Sequence, residues 1–285
     1  CLSHRNLKFQ SYNARGLGIT SKRLKTIQWY YTKKIDISFT QETHSTKETE
    51  QTWRDQYDGT IYFSHGTSAA RGTCIFIRSH VQHDTHKIIS DPNGRYVILD
   101  VTIGDVRMTL ASIYAPNDDS PDFILEIRNQ IERIPNDNRL IGGDYNLVLD
   151  ILLDKKGGRN ITHINSQQKL KDWMDSTDLV DVWRAQHPND LKYTWSRSRP
   201  TKMFCRLDFF LASLSLFDMI KSSDISPGYN SDHSPVTINL EQNSTNRGKG
   251  YWKLNCSHLK NQDYINLIKQ TINSTADINK RSSGP

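Results

Sequence analysis

The chain has 285 residues, a net charge of +6 from 37 Lys/Arg against 31 Asp/Glu, and 35% hydrophobic residues. That length can bury a core without disulfide or metal staples, and the lack of any apolar run of about 18 residues argues against a membrane-spanning helix. The first residues, Cys1-Leu2-Ser3-His4-Arg5, lead into no apolar segment of a secretory signal, and four cysteines without Cys-x-x-Cys spacing speak against a disulfide framework or zinc site and for a reducing compartment.

Leu7–Tyr12 reads as a strand, short, rich in aromatic and apolar residues and closed by Asn13. Ser21–Tyr31 follows as a helix, with Leu24, Ile27 and Tyr31 at i, i+3, i+7. Ile35–Thr40, Thr73–Arg78, Arg95–Ile103 and Val106–Ala115 are further strands. Ser120-Pro121-Asp122 supplies the N-cap, N1 and N2 of a helix whose apolar face is Ile124, Ile127 and Ile131. Arg139–Asp144 is a strand, and Ser166–Thr177 a helix that groups Leu170, Trp173 and Met174. Tyr193–Trp195 and Cys205–Phe210 flank a stretch rich in Ser and Arg, the pattern of a hairpin with a long polar tip. Arg206–Leu211 and Ser234–Leu240 complete the strands. Many strands with interspersed helices and no repeat predict a mixed α/β domain over 1–240.

Beyond Leu240 the character changes. Glu241–Gly250 is polar and reads as a linker. Leu259, Tyr264, Leu267, Ile268 and Ile272 could form one short amphipathic helix, so 241–285 is expected to be a linker and the partial start of a following region. The chain begins at Cys1 rather than Met, as expected of a segment of a longer polypeptide. From Glu241 onward seven basic residues face three acidic ones, whereas the first 240 residues hold 30 against 28. The basicity is mostly a property of the tail, and any case for nucleic-acid binding by the body rests on local patches.

Five strand ends carry polar side chains of the kind an α/β fold gathers into a site. They are Asn13; Glu42 and His44 in Gln41-Glu42-Thr43-His44; Tyr114 before Ala115-Pro116-Asn117; Asp144 and Asn146 in Gly142-Gly143-Asp144-Tyr145-Asn146; and Asp232 and His233 in Ser231-Asp232-His233-Ser234-Pro235. Each has an ordinary reading. Gly-Gly-Asp is turn chemistry, Asp232-His233 a cap beside a satisfied histidine, Glu42 a solvated carboxylate, Tyr114 packing under a turn; His44 is left with its ordinary reading. Together they supply carboxylates, amides, a phenol and an imidazole. Those types suit metal-assisted phosphodiester hydrolysis: a hard cation wants oxygen ligands such as Glu42, a buried carboxylate such as Asp144 can deprotonate water with Asn146 orienting it, and a histidine held by a carboxylate can face phosphate oxygens. No P-loop signature is present.

In this order and spacing the motifs resemble the endonuclease/exonuclease/phosphatase superfamily, and more narrowly the apurinic-type endonuclease domain of a non-LTR (LINE-type) retrotransposon polyprotein. The resemblance covers about Leu7 to Leu240 and includes Asp178-Leu179-Val180-Asp181-Val182-Trp183-Arg184, Tyr193-Thr194-Trp195 and Arg206-Leu207-Asp208-Phe209-Phe210. Gly250-Tyr251-Trp252-Lys253-Leu254-Asn255 is similar to the stretch that follows such domains. The resemblance implies a four-layered α/β sandwich of two packed mixed β-sheets flanked by helices. It implies that Glu42 binds Mg²⁺ (Mn²⁺ substituting), with Asn13 nearby and Asp232 near the metal or water network. Asp144 would activate water positioned by Asn146, and Tyr114 and Thr194 would contact the scissile phosphate. His233 would stabilise it, oriented by Asp208, with Ser231 in the same loop. Arg197, Arg199, Lys202 and Arg206, with no acidic residue between Trp195 and Asp208, form the densest basic patch of the body and are expected to bind DNA. Implied partners are double-stranded DNA and the reverse transcriptase region of the same polyprotein, with no membrane; the expected place of action is the nucleus after synthesis in the cytoplasm, without secretion. Apurinic repair enzymes carry an Asp two residues after the Asn matched by Asn13, and this chain has Arg15, which favours the retrotransposon reading. The alternatives are a repair endonuclease or another phosphodiesterase of the superfamily, and a catalytically dead nucleic-acid-binding module.

Overall fold

The computed structural model describes residues 5–158, 163–199, 202–242, 262 and 264–270. The linker residues 243–250, with Leu259 and Ile272, lie outside the described residues; residues 264–270 are helical. Cys1–Ser244 forms one compact unit and Thr245–Pro285 another.

In chain order the first unit contains β1 (Arg5–Asn13), α1 (Thr20–Thr32), β2 (Ile37–Gln41), α2 (Glu50–Gln56), β3 (Gly59–Ser64), β4 (Thr73–Arg78), β5 (His83–Ser90), β6 (Tyr96–Ile103) and β7 (Val106–Tyr114). It continues with α3 (Pro121–Glu132), β8 (Arg139–Asp144), α4 (Ile151–Asp154), β9 (Lys155–Gly157), α5 (Ile164–Ser176), β10 (Leu179–Asp181) and α6 (Val182–Gln186). The last elements are β11 (Trp195–Arg197), β12 (Met203–Cys205), β13 (Asp208–Ser213), α7 (Leu214–Phe217), β14 (Ile220–Ile225) and β15 (Val236–Gln242). Two six-stranded mixed sheets run β14-β15-β1-β2-β4-β3 and β10-β13-β8-β7-β6-β5, and a small third sheet runs β11-β12-β9. Among the described residues no helix is long and apolar enough to cross a membrane.

Side-chain alternation builds four layers. Leu7 and Phe9 of β1, Ile75 and Ile77 of β4, and Val97, Leu99 and Val101 of β6 meet in one core between the sheets. Tyr96 and Ile98, on the opposite face of β6, pack with Ile124, Ile127 and Ile131 of α3 and with Leu170 and Trp173 of α5. Cys74 and Phe76, on the opposite face of β4, pack with Ile27 and Tyr30 of α1 and Trp53 of α2. Strands covered on both faces tend to continuous apolar runs, as β4 and β6 show; β2 is also buried on both faces but alternates Ile37 and Phe39 with Ser38, Thr40 and Gln41, which hydrogen-bond inside the fold. β3, β5 and β14 were not readable in the sequence, because their residues are largely half-buried or exposed.

Two local expectations change, and one ordinary reading is ruled out while the strand expected over Arg139–Asp144 stands. The buried side of α1 is Arg23, Thr26, Ile27 and Tyr30, while Leu24 is 43% exposed. Arg23 can lie inside because Gln56 Oε1, Leu17 O, Gly18 O and Thr20 Oγ1 accept its guanidinium, which stacks over Trp53. Ser120 sits at the N-cap of α3 but does not cap it, its hydroxyl donating to Asp118. Gly142-Gly143 is no turn but part of β8, where a Cβ on Gly142 would lie 2.4 Å from the Phe210 ring and one on Gly143 2.1 Å from Ile113 O. The glycines let the two sheets and neighbouring strands close up immediately before Asp144.

Candidate active site

β1 and β2 run parallel, as do β7 and β8, so Asn13, Glu42, Tyr114 and Asp144 end at one edge of the two sheets. β13 is antiparallel to β8 and β15 to β1, so Asp208 and His233 start there; Asp208 sits directly opposite Asp144 in the ladder. The five strand ends thus converge on a cleft of about 620 Å³ that Glu42, Asp144, Asn146, Asp232 and His233 line.

One chain of hydrogen bonds joins the carboxylates. Asn13 Nδ2 donates to Glu42 Oε1 (3.1 Å) and to Asp144 Oδ2 (2.9 Å). The Tyr114 hydroxyl also donates to Glu42 Oε1 (2.7 Å). Asp144 Oδ1 accepts the Asn146 backbone N–H (2.9 Å), and Asn146 Nδ2 donates to Ala115 O (2.8 Å). His233 Nδ1 lies 2.8 Å from Asp208 Oδ2, and His233 Nε2 3.8 Å from Asp144 Oδ2. Arg15, Glu42 and Asn146 all hold left-handed backbones, at φ +48°, +49° and +50°. For residues other than glycine this conformation is uncommon and clusters at functional sites.

Burial, then the facing Asp208, push the Asp144 carboxyl up to about 7, against the pull of His233 and the Asn13 and Asn146 hydrogen bonds. Burial alone would lower His233, but Asp208 and Asp144 outweigh it and lift the imidazole to about 10. The shifts share one origin: two facing buried carboxylates are tolerated when a protonated imidazole stands between them. Burial, then Glu42, push the Tyr114 phenol far above its usual range, which keeps it a donor.

A metal ion could be held in two ways. Asp144, Asp208 and His233 bring three ligand atoms within 4.8 Å of one another, but His233 Nδ1 and Asp208 Oδ2, 2.8 Å apart, are already engaged with each other. Glu42 fits a hard ion better: Asn13 and Tyr114 both donate to Oε1, and among the described residues none is bonded to Oε2. Asn13 faces the two carboxylates with its amide N–H groups, while its Oδ1 accepts the Arg15 N–H. Asp232 lines the cleft, but its Oδ2 accepts Trp195 Nε1 (3.3 Å) and lies 3.4 Å from Arg15 Nη1, so a cation of the chain already faces it.

Other expected site residues divide. Arg197, Arg199 and Lys202 are exposed on the β11–β12 hairpin and its tip. Arg206 is not: it is wholly buried, with Nε and Nη2 on Asp154 (2.7 and 2.8 Å) and Nη1 and Nη2 on Asp181 (3.2 and 2.6 Å). Its charge is spent inside the fold, which corrects its assignment as a DNA contact. Thr194 is buried too, and its Oγ1 accepts the Leu207 and Asp208 N–H groups, so it holds the base of Asp208 instead of facing a phosphate. Ser231 Oγ donates to Asn13 O (2.8 Å) and accepts the His233 N–H (3.1 Å), which makes it a fastener of its loop. Sequence reasoning passed over Trp195 Nε1 as the partner of Asp232; its place beside Thr194 was the available signal. His44 packs against Gly16, where a Cβ would lie 2.9 Å from its ring.

The model of the Endonuclease/Exonuclease/phosphatase family matches residues 11–233. A transposon TX1 149 kDa protein of Xenopus laevis is 27% identical over 271 residues, covering 93% of this chain and 20% of that protein. The chain therefore spans about a fifth of that relative's length. The structure of the AP endonuclease LMAP of Leishmania major aligns with TM-score 0.69 at 16% identity, over 84% of this chain and 89% of that one. The endonuclease domain of TRAS1, a telomere-specific non-LTR retrotransposon, aligns with TM-score 0.62 at 14% identity, over 83% and 98%. With two six-stranded sheets, the carboxylates and imidazole gathered at their common edge, and a family match from residue 11 to residue 233, the chain belongs to the endonuclease/exonuclease/phosphatase family.

Proposed function

We propose that this domain is a divalent-metal-dependent DNA endonuclease of a retrotransposon polyprotein. It nicks one strand of a duplex and leaves a 3′-hydroxyl that primes reverse transcription by the polymerase region of the same polyprotein, on nuclear DNA. The observation that carries the reading is the Asn13 amide bonded at once to Glu42 and Asp144, with the His233–Asp208 pair across the cleft. This sets a cation-binding carboxylate, a base and a protonated imidazole around a single space. The similarity to the TX1 protein over nearly the whole chain supports the retrotransposon setting.

The residues divide the chemistry. Asp144 accepts the proton of the attacking water, its oxygens aligned by Asn13 and the Asn146 N–H. The Asn146 amide, anchored to Ala115 O through Nδ2, has its Oδ1 to orient that water. The His233 imidazolium, held by Asp208, faces the phosphate oxygens and stabilises the charge that builds there. Glu42 would hold Mg²⁺, or Mn²⁺ in its place, which supplies neutralisation of the phosphate and of the leaving oxygen. The exposed Arg197, Arg199 and Lys202 pair with flanking phosphates.

Supercoiled plasmid tests the reading. Mg²⁺ should yield open circles, EDTA should abolish them, and a DNA polymerase should extend the nicks without prior end repair. Nicking that persists in EDTA, or nicks that cannot be extended, would refute it. The same duplex with and without one abasic site separates a repair enzyme: a thousandfold preference for the abasic site would overturn the retrotransposon reading, and Arg15 in place of a carboxylate motivates expecting none.

A further inference from the structure

We propose that the Tyr12 hydroxyl is a positioning group for His233, fastening the loop that delivers the imidazole to the cleft. The proposal rests on the reading of His233 given above. Tyr12 is the penultimate residue of β1 and is 1% exposed. Its hydroxyl donates to Tyr229 O and accepts the Tyr229 N–H at 3.2 Å, so one side-chain oxygen satisfies both backbone groups of a residue 217 positions away. The Tyr229 ring stacks on Trp29 of α1, with centroids 6.0 Å apart and planes at 18°.

Two residues further on, Ser231 Oγ links Asn13 O to the His233 N–H. At the start of the loop a Cβ on Gly228 would lie 2.0 Å from His233 O, so the segment folds back tightly on the residue it carries. These bonds tie the loop to two adjacent residues of β1, Tyr12 and Asn13. Asn13 is also the residue that aligns Glu42 and Asp144. One strand end therefore sets the position of the imidazole relative to the carboxylates, and the hydroxyl is half of that connection. A tyrosine phenol is protonated at neutral pH in any case, and burial raises this one further, to about 12, so it remains a donor.

The simpler reading is that Tyr12 is an aromatic filler between α1 and the sheet, packed against Trp29 at 5.2 Å. Tyr12→Phe separates the two, because it keeps the ring and its packing and removes only the oxygen. A displacement of the imidazole by a fraction of an ångström should lower kcat for nicking by roughly tenfold, since misplacement by about 1 Å can cost a hundredfold. KM should stay within about twofold, because no DNA contact is lost. The Nδ1 proton of His233, shared with Asp208 and read by NMR far downfield, should shift or broaden. Unchanged kcat with an unchanged His233 proton overturns the proposal, as does a rise in KM alone. His233→Ala is run beside it. If that variant nicks at the wild-type rate, the role of His233 is wrong, whereas a dead His233→Ala with a fully active Tyr12→Phe sinks only the positioning role of Tyr12.

Discussion

Replacing Arg206 by Met should unfold the domain at lower temperature and leave DNA binding alone. The guanidinium is fully buried and makes four bonds to Asp154 and Asp181, while stacking on Phe209 at 5.2 Å. Without it the two carboxylates stay inside with Arg184 as the remaining cation, 2.6 Å from Asp154 Oδ1. Stripping one partner from a buried ion pair costs about 3–5 kcal/mol, because the other charge is left uncompensated. For a domain of this size, with roughly 2–4 °C of Tm per kcal/mol, this amounts to a fall of about 6–20 °C. Arg206→Lys should recover little of it, since an ammonium cannot reproduce two forked contacts. Thermal unfolding monitored by circular dichroism reads the Tm, and binding to a duplex across a salt series reads the charge contacts, with Asp144→Asn as background to prevent cleavage. Arg206→Met should keep the wild-type salt slope, whereas Arg197→Ala should flatten it by about one unit. A Tm within about 2 °C of wild type, together with a slope reduced by about one, would return Arg206 to the DNA and refute the reasoning.

Asp144→Asn should lower nicking by about 10²–10⁴-fold while duplex binding persists, because an amide cannot take the proton; single-turnover plasmid nicking and a gel-shift read the two effects, and near-wild-type nicking would reassign the base. Asp154 supplies the pH test. Burial alone would raise its carboxyl, but Arg206 and Arg184 outweigh burial and hold it below its usual range. A carboxylate depressed by folding contributes stability that is present above its unfolded pKa of about 3.9 and lost as pH falls through the lower folded value. Asp154→Asn should therefore lose stability at pH 7 and flatten the acid limb of the stability–pH curve, and an unchanged acid limb in urea titrations would count against the pair. Replacing residues 198–201 of the hairpin tip by a short Gly-Asn turn should shift or scatter the nicks on one long duplex while some nicking survives, and a sequencing map identical to wild type would make the tip a mere solvated loop.

The sequence by itself determined the strands that lie inside and the residue types at their ends. β4 and β6 lie where their apolar, β-branched runs place them, because a strand covered on both faces buries nearly every side chain. The chemistry of Asn13, Glu42, Asp144 and His233 was legible for a related reason: the first three close a strand and His233 leads into one, at points where the chain leaves or enters the core. What tertiary structure alone decided is how each charge is spent. Arg197 and Arg206 look alike in a basic stretch, yet one is exposed on the hairpin and the other is sealed between Asp154 and Asp181, residues 52 and 25 positions away. Thr194 and Ser231 offer hydroxyls that could face a phosphate, and the fold turns both to backbone N–H groups. Gly142-Gly143 reads as a turn until Phe210, from a strand nearly 70 residues later, occupies the space a side chain would need. Local sequence encodes periodicity and residue type, but a hydrogen bond or ion pair depends on distances between segments far apart in the chain, and those distances exist only once the two sheets have packed.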